Sequence, residues 1–237
     1  MQKLKDPKGI IYAPPYKTSI KLTKLIALLL VLVVGINCYL YLNSHFAKII
    51  SGSSMCPNLN AQESGQKDIV LVDKFAEVKH GDIVIIDVKG LNYFDNRNTK
   101  LIVKRIIALG GDKIKIVFNN ETQQNEVWLK NSTYPDGAKL EEDYINPDND
   151  PNITNIYNEQ YNWIIGKNVL SKDAEGYITI PEDYVFFLGD NRNFSLDSRY
   201  IGPLLESRVL GVVDKIIYDK TLLHDIVATL LQFNLNF

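Results

Sequence analysis

The chain has 237 residues, 46% of them apolar and 23% charged, too apolar for a disordered polymer and, with two cysteines, not a disulfide mini-protein. Its 26 basic and 28 acidic residues leave a net charge of −2, so no overall positive field points to nucleic acid. The average hides an asymmetry: residues 1–24 hold six lysines against the single acid Asp6, a local charge of about +5.

From Leu25 to Leu42 the run LIALLLVLVVGINCYLYL carries no charged side chain. At 1.5 Å per residue it spans about 27 Å, close to the hydrocarbon thickness of a bilayer. Tyr39 and Tyr41 suit the far interface, and the lysines on the near side favour a cytoplasmic N-terminus. No A-x-A pattern follows Leu42, so the segment is read as a retained anchor over residues 25–47 and not as a cleaved signal. A single-pass protein of the cell inner or plasma membrane is expected, with a cytoplasmic tail at 1–24 and everything after about residue 47 outside.

Beyond Asp68 the chain reads as short β segments. DIVLVDKF, DIVIIDV, LIVKRIIAL, KIKIVF, VWLK, YITI, YVFFLGD and VLGVVDKIIY are rich in Val, Ile, Tyr and Phe and are separated by Gly- and Asp-rich turns. The fold class expected is mainly β, an N-terminal transmembrane helix followed by an all-β domain. Residues 48–118 and 184–215 would form its core, interrupted by a polar, β-rich insertion at 119–183. Within the insertion Asp148, Asp150, Asn152 and Glu159 imitate part of a calcium loop, but Ile153 stands where the sharp turn needs Gly, so a solvated turn is the reading. Asn-x-Ser/Thr sites at Asn120, Asn131, Asn152 and Asn193 are expected by chance. In residues 216–237 a stripe of Leu222, Leu223, Ile226, Val227, Leu230 and Leu231 is too short to span a bilayer and suits docking on the core.

The three histidines, His45, His80 and His224, belong to no nucleophile motif, and the thiols are too few for a metal cluster. Neither a metal nor a cofactor is expected. Lys104 is a different matter. A period of two places it on the same strand face as Ile102 and Ile106. Desolvation there lowers an amine pKa, and a general base near neutrality needs a fall of roughly 2–3 units from about 10.4. Taken alone, the segment reads first as a lysine whose head snorkels into water. ISGSSMCPNL offers Ser54 on a tight, exposed backbone, or merely a Ser/Gly linker. FFLGDNRNFSLDSRYIGPL packs Asp190, Arg192, Asp197 and Arg199 around Gly189 and Gly202, as a hydrogen-bonded brace or as a surface ion-pair loop.

Together these segments resemble type I signal peptidases, the membrane-bound Ser-Lys proteases. The family's nucleophile box S-M-x-P-T-L stands here as Ser54-Met55-Cys56-Pro57-Asn58-Leu59, with Asn58 for Thr. Its base box appears as Lys104-Arg105 followed by Gly111-Asp112, and its G-D-N-R-x-x-S-x-D-S-R signature as Gly189-Asp190-Asn191-Arg192, Ser195 and Asp197-Ser198-Arg199. The weaker box between them is matched by Asp68-Ile69-Val70-Leu71-Val72 and Gly81-Asp82-Ile83-Val84.

The resemblance implies a serine endopeptidase that removes signal peptides from exported preproteins at a lipid bilayer, with no nucleic-acid partner. It implies Ser54 as nucleophile, Lys104 as general base and Ser195 as the hydroxyl holding the lysine amine. Arg105, Asp190, Asp197 and Arg199 would be the brace, and Ile50, Met55, Leu59 and Val103 would line shallow pockets for small side chains. The Ser54 backbone N–H would serve the oxyanion hole. Some members add a serine two positions before the nucleophile, where this chain has Gly52. The Asn58 exchange is expected to matter little, since that side chain carries no proton in the mechanism. Cys56 occupies the family's variable position, which disfavours a thiol nucleophile. Two other functions stay open: a specialised Ser-Lys peptidase maturing one conjugation or pilus protein, and a catalytically silent membrane-anchored β binding protein.

Overall fold

The computed structural model describes residues 17–60, 67–95, 100–121, 124–145, 164–165 and 168–217. Two units are distinct, one ending at Ser44 and one beginning at His45. The calcium-like loop and the C-terminal stripe lie outside the described residues.

The first unit is a 28-residue helix, α1 (Lys17–Ser44). Its stretch Leu22–Ser44 has a mean hydropathy of 2.6 and is long and apolar enough to cross a membrane. Leu25, Leu28, Val31, Leu32, Ile36 and Leu40 are all uncovered by protein, so the helix is apolar around its circumference without a core of its own. Its polar side chains turn back on the backbone: Asn37 Nδ2 donates to the Val33 carbonyl and Asn43 Nδ2 to that of Tyr39, each at 2.8 Å. Such bonds satisfy amides that an apolar surrounding leaves without water. The helix closes at Ser44, and the last three residues of the span read as the anchor, 45–47, open the first strand.

The second unit is antiparallel β. In chain order it comprises β1 (His45–Ile49), β2 (Ile69–Asp73), β3 (Ile83–Asp87), the short helix α2 (Asn92–Asp95), β4 (Leu101–Ala108), β5 (Lys113–Asn119) and β6 (Gln124–Lys130). There follow β7 (Ala138–Lys139), β8 (Ile164–Ile165), β9 (Asn168–Val169), β10 (Ile178–Thr179), β11 (Tyr184–Leu188), α3 (Ser198–Ile201), β12 (Leu204–Leu205) and β13 (Val209–Ile217). Seven strands make one sheet in the order β1-β2-β13-β3-β4-β11-β12, and a second sheet runs β10-β5-β6-β7. The second sheet thus begins at Lys113, six residues before the insertion boundary read from composition, because β5 keeps the apolar alternation of a core strand.

Adjacent residues of β11 supply two cores. Phe186 and Leu188 pack with Ile107, Ile114, Leu129 and Ile180, joining the two sheets, while Val185 and Phe187 pack with Val84, Ile86 and Ile106. The two phenylalanines are at most 1% exposed, each burial stabilising by roughly 1.5–3 kcal/mol. A third core gathers Ile50, Met55 and Leu59 onto Val70, Val72 and Ile85. Register then sets the site. Val84 lies opposite Lys104 on β3–β4, and Leu188 opposite Arg105 on β4–β11, so the chain leaving β11 at Gly189 emerges beside the two basic residues.

Candidate active site

β4 buries alternate residues, Ile102, Lys104 and Ile106, as the period of two predicts. Lys104 is 3% exposed. Its Nζ lies 2.6 Å from Ser54 Oγ and 2.9 Å from the Val103 carbonyl oxygen. Burial pushes its pKa down from 10.5 to about 8, against the attraction of Asp197 and with the help of Arg199. The snorkelling alternative fails because the amine is turned inward onto Ser54 and the Val103 carbonyl and not out to water.

The chain from Ser54 to Asn60 is pinned at both ends. Asn60, in the left-handed region at φ 58°, donates through Nδ2 to the Ile50 and Gly52 carbonyls at 2.9 and 3.0 Å. Its backbone N–H donates to Asp68 Oδ2 and its Oδ1 accepts from Asp68 N–H. Asn tolerates that conformation better than other side chains of its size. Met55 and Leu59 face inward at 1% and 0% exposure, so Ser54 is left half-buried at the top of the turn. The sequence reading missed the Asn60–Asp68 staple; an Asn eight residues before an Asp carries no pattern by itself. Ile50, Met55, Leu59 and Val103 share one apolar cluster, Val103 at its margin.

The segment after β11 lies against Ser54. Asn191 N–H donates to the Ser54 carbonyl at 3.0 Å. A Cβ at Gly189 would overlap both the Ser195 side chain and the Ser54 carbonyl oxygen, so only glycine allows this approach. Asp197, fully buried, caps α3 and accepts from Gly189 N–H and from Arg199 Nε and Nη2 at 2.8–3.0 Å. Burial works to raise its pKa, but the Arg199 charge and bonds outweigh it and the carboxyl is held below the usual range.

Arg105 grips Asp190 with two bonds at 2.9 and 2.7 Å. The four residues expected to form the brace therefore fall into two ion pairs near Lys104, Arg199–Asp197 buried and Arg105–Asp190 largely so. Ser195 is also buried, and its hydroxyl has no partner at hydrogen-bonding geometry, Lys104 included. Cys56 points its Sγ at the Leu59 and Asn60 carbonyls, and burial pushes its thiol pKa up, opposite to a reactive thiolate.

Several participants were not legible beforehand. Asn58, expected to matter little, donates to Asp190 Oδ2 at 2.8 Å and to the Tyr144 carbonyl, so it ties the turn carrying Ser54 to the Arg105–Asp190 pair. Arg192 is matched by Glu142, fifty residues away, with both side chains under 10% exposed. His80, read as a turn residue, lies 2.6 Å from Asp112 and helps, against burial, to hold that carboxyl low. Among the described residues no cluster of His, Cys, Asp or Glu could hold a metal ion.

A buried amine, a hydroxyl within contact and two compensating ion pairs can perform nucleophilic acyl transfer with the lysine as proton carrier. The family described as "Signal peptidase, peptidase S26" matches residues 19–218 of this chain. Signal peptidase I U of Bacillus subtilis (strain 168) is 26% identical over 208 residues, 85% of this chain and 91% of that protein. Signal peptidase IB of Staphylococcus aureus (strain COL) is 29% identical over 168 residues, 69% of this chain and 73% of that one. The crystal structure of a signal peptidase I from Enterococcus faecalis V583 matches at 24% identity and a TM-score of 0.34, covering 58% of this chain and 97% of that chain.

Proposed function

This chain belongs to the S26 signal peptidase family and is a serine hydrolase, and we propose that it cleaves signal peptides from exported preproteins with Ser54 as nucleophile and Lys104 as general base. The observation that carries the reading is the 2.6 Å separation of Lys104 Nζ and Ser54 Oγ at a lysine that is 3% exposed. A neutral amine has one lone pair and two N–H groups. With one N–H on the Val103 carbonyl, the lone pair is free for the serine proton and the second N–H for another acceptor. Ser195 Oγ, buried nearby without a partner, is the acceptor that the family resemblance supports.

The steps follow. Lys104 takes the Ser54 proton as Oγ attacks the scissile carbonyl carbon, and the ammonium then protonates the departing amine of the mature protein. An acyl-enzyme remains on Ser54. Lys104, neutral again, takes a proton from a water molecule that attacks this ester and returns it to Oγ. The Ser54 N–H is proposed as one oxyanion donor. Gly52 brings no hydroxyl, so the second donor lies elsewhere. Ile50, Met55, Leu59 and Val103 are proposed as the apolar wall against which small side chains of the substrate rest.

An uncovered apolar helix at Leu22–Ser44 supports anchoring in a membrane with residues 1–24 on the cytoplasmic side, where the lysines favour it, and the β unit on the other, where signal peptides end. The test is incubation of the detergent-solubilised full chain with a precursor and mapping of the cut. Ser54→Ala and Lys104→Ala should each lose at least about 10³-fold in kcat/KM. Unchanged cleavage in either variant would remove the mechanism.

A further inference from the structure

Residues 140–145 follow β7 of the four-stranded sheet, with the Leu140 N–H still donating to the Val127 carbonyl at 2.8 Å. Two side chains of this strap then reach the site. Glu142 takes both terminal nitrogens of Arg192, and its Oε1 accepts the Tyr144 hydroxyl at 2.7 Å. The Tyr144 ring lies under the Arg105 guanidinium, 4.1 Å from ring centre to carbon, and the Tyr144 carbonyl accepts from Asn58. Burial raises the Tyr144 hydroxyl pKa well above its ordinary value, so it is a donor throughout.

Each of these contacts is relayed toward Ser54 through a short series of bonds. Arg192 Nε donates to the Gly189 carbonyl at 3.0 Å. Gly189 begins the turn whose Asn191 N–H holds the Ser54 carbonyl. Asn58 belongs to the turn that carries Ser54. Arg105 holds Asp190, which also receives Asn58. Neither Glu142 nor Tyr144 hydrogen-bonds Ser54 or Lys104. We propose that Glu142 and Tyr144 are positioning residues: the strap from the second sheet clasps Arg192, Arg105 and Asn58 and so fixes Ser54 against Lys104. This rests on the reading of that pair as the reacting groups, and it gives the second sheet a task in catalysis without contact to substrate.

A clasp of this kind acts on the geometry of reaction and not on substrate affinity. Displacement of a reacting atom by about 1 Å costs up to roughly 100-fold in rate. Glu142→Gln and Tyr144→Leu, assayed on a precursor cleaved by the wild type, should lower kcat by about 10-fold or more and leave KM within about twofold. Because Glu142→Gln orphans a buried guanidinium, adding Arg192→Gln should cost no further activity; the pair acts as a unit.

Hydrogen exchange on the full chain reads the clasp without catalysis: in both single variants the amides of 54–60 and 189–192 should exchange faster, with β2 and β3 unchanged. A rise in KM with kcat preserved, an additive loss in the double variant, or unaltered exchange at 189–192 would overturn the proposal. Should the wild type cleave no precursor, the reading of Ser54 and Lys104 fails, and the exchange experiment alone decides whether the clasp exists.

Discussion

Lys104 and Lys130 carry the same side chain on two packed sheets, and their amines are moved in opposite directions. Lys130, on the four-stranded sheet, bonds Glu175 at 2.8 Å and its pKa rises because that bond favours the charged form. Lys104, on the seven-stranded sheet, is pushed down to about 8 because burial disfavours charge more than Asp197 and Asp190 restore it. The pairing around them differs in the same way. Lys113–Asp173, Lys130–Glu175 and Lys139–Glu126 lie at the surface of the small sheet, with the carboxylates of the last two pairs 60% and 16% exposed. Arg105–Asp190, Arg192–Glu142 and Arg199–Asp197 have carboxylates exposed by 7% or less. Ion pairs of one chemistry are thus surface decoration in one region and the frame of the site in the other, because solvent screens the exposed set more than the largely buried one.

The strongest way to break this comparison is to open a buried pair. Asp197→Ala leaves Arg199 charged and unmatched in the interior and should cost about 3–5 kcal/mol in urea unfolding. A loss under about 1 kcal/mol would make the brace behave as a surface pair. Next is the amine itself. Its folded pKa lies below its unfolded one, so at pH below about 8 the folded state carries a buried ammonium at a penalty. That penalty fades as pH rises from about 8 toward 10.5, where the unfolded chain also loses the proton. Lys104→Met should therefore abolish cleavage and raise stability at pH 7 by up to roughly 3 kcal/mol, a gain that shrinks at pH 10. By the same titration wild-type kcat/KM should climb with pH through about 8. A profile set by a group near 6.5 and removed by His80→Ala would contradict it. The smallest effect belongs to the small sheet: Lys130→Ala should leave the melting temperature and cleavage unchanged within error.

How much was readable beforehand depended on the distance over which each signal acts. The strands around Lys104 and Phe186–Phe187 are written locally, in β-branched and aromatic residues between turns, and the structure has strands in both segments. The identity of the S26 boxes was equally local. Asn58, by contrast, looked dispensable because its type was judged against the chemistry and not against its neighbours; its partners Asp190 and Tyr144 lie 132 and 86 residues away. Glu142 sits in an acidic stretch that composition marks as solvated, and only Arg192 makes it an interior residue. The second sheet starts at β5, before the insertion boundary read at 119, because composition changes only after Asn119.

By itself, then, the order of residues settled the apolar helix, the succession of short strands and the types of side chain available for proton transfer, all of which follow from hydropathy and periodicity within a dozen residues. Tertiary structure decided that the Lys104 amine is dry and in contact with Ser54, that the Ser195 hydroxyl stands unbonded to it, and that a strap from a second sheet completes the frame. Those depend on strand register and on the exclusion of water, and both exist only once segments far apart in the chain have packed.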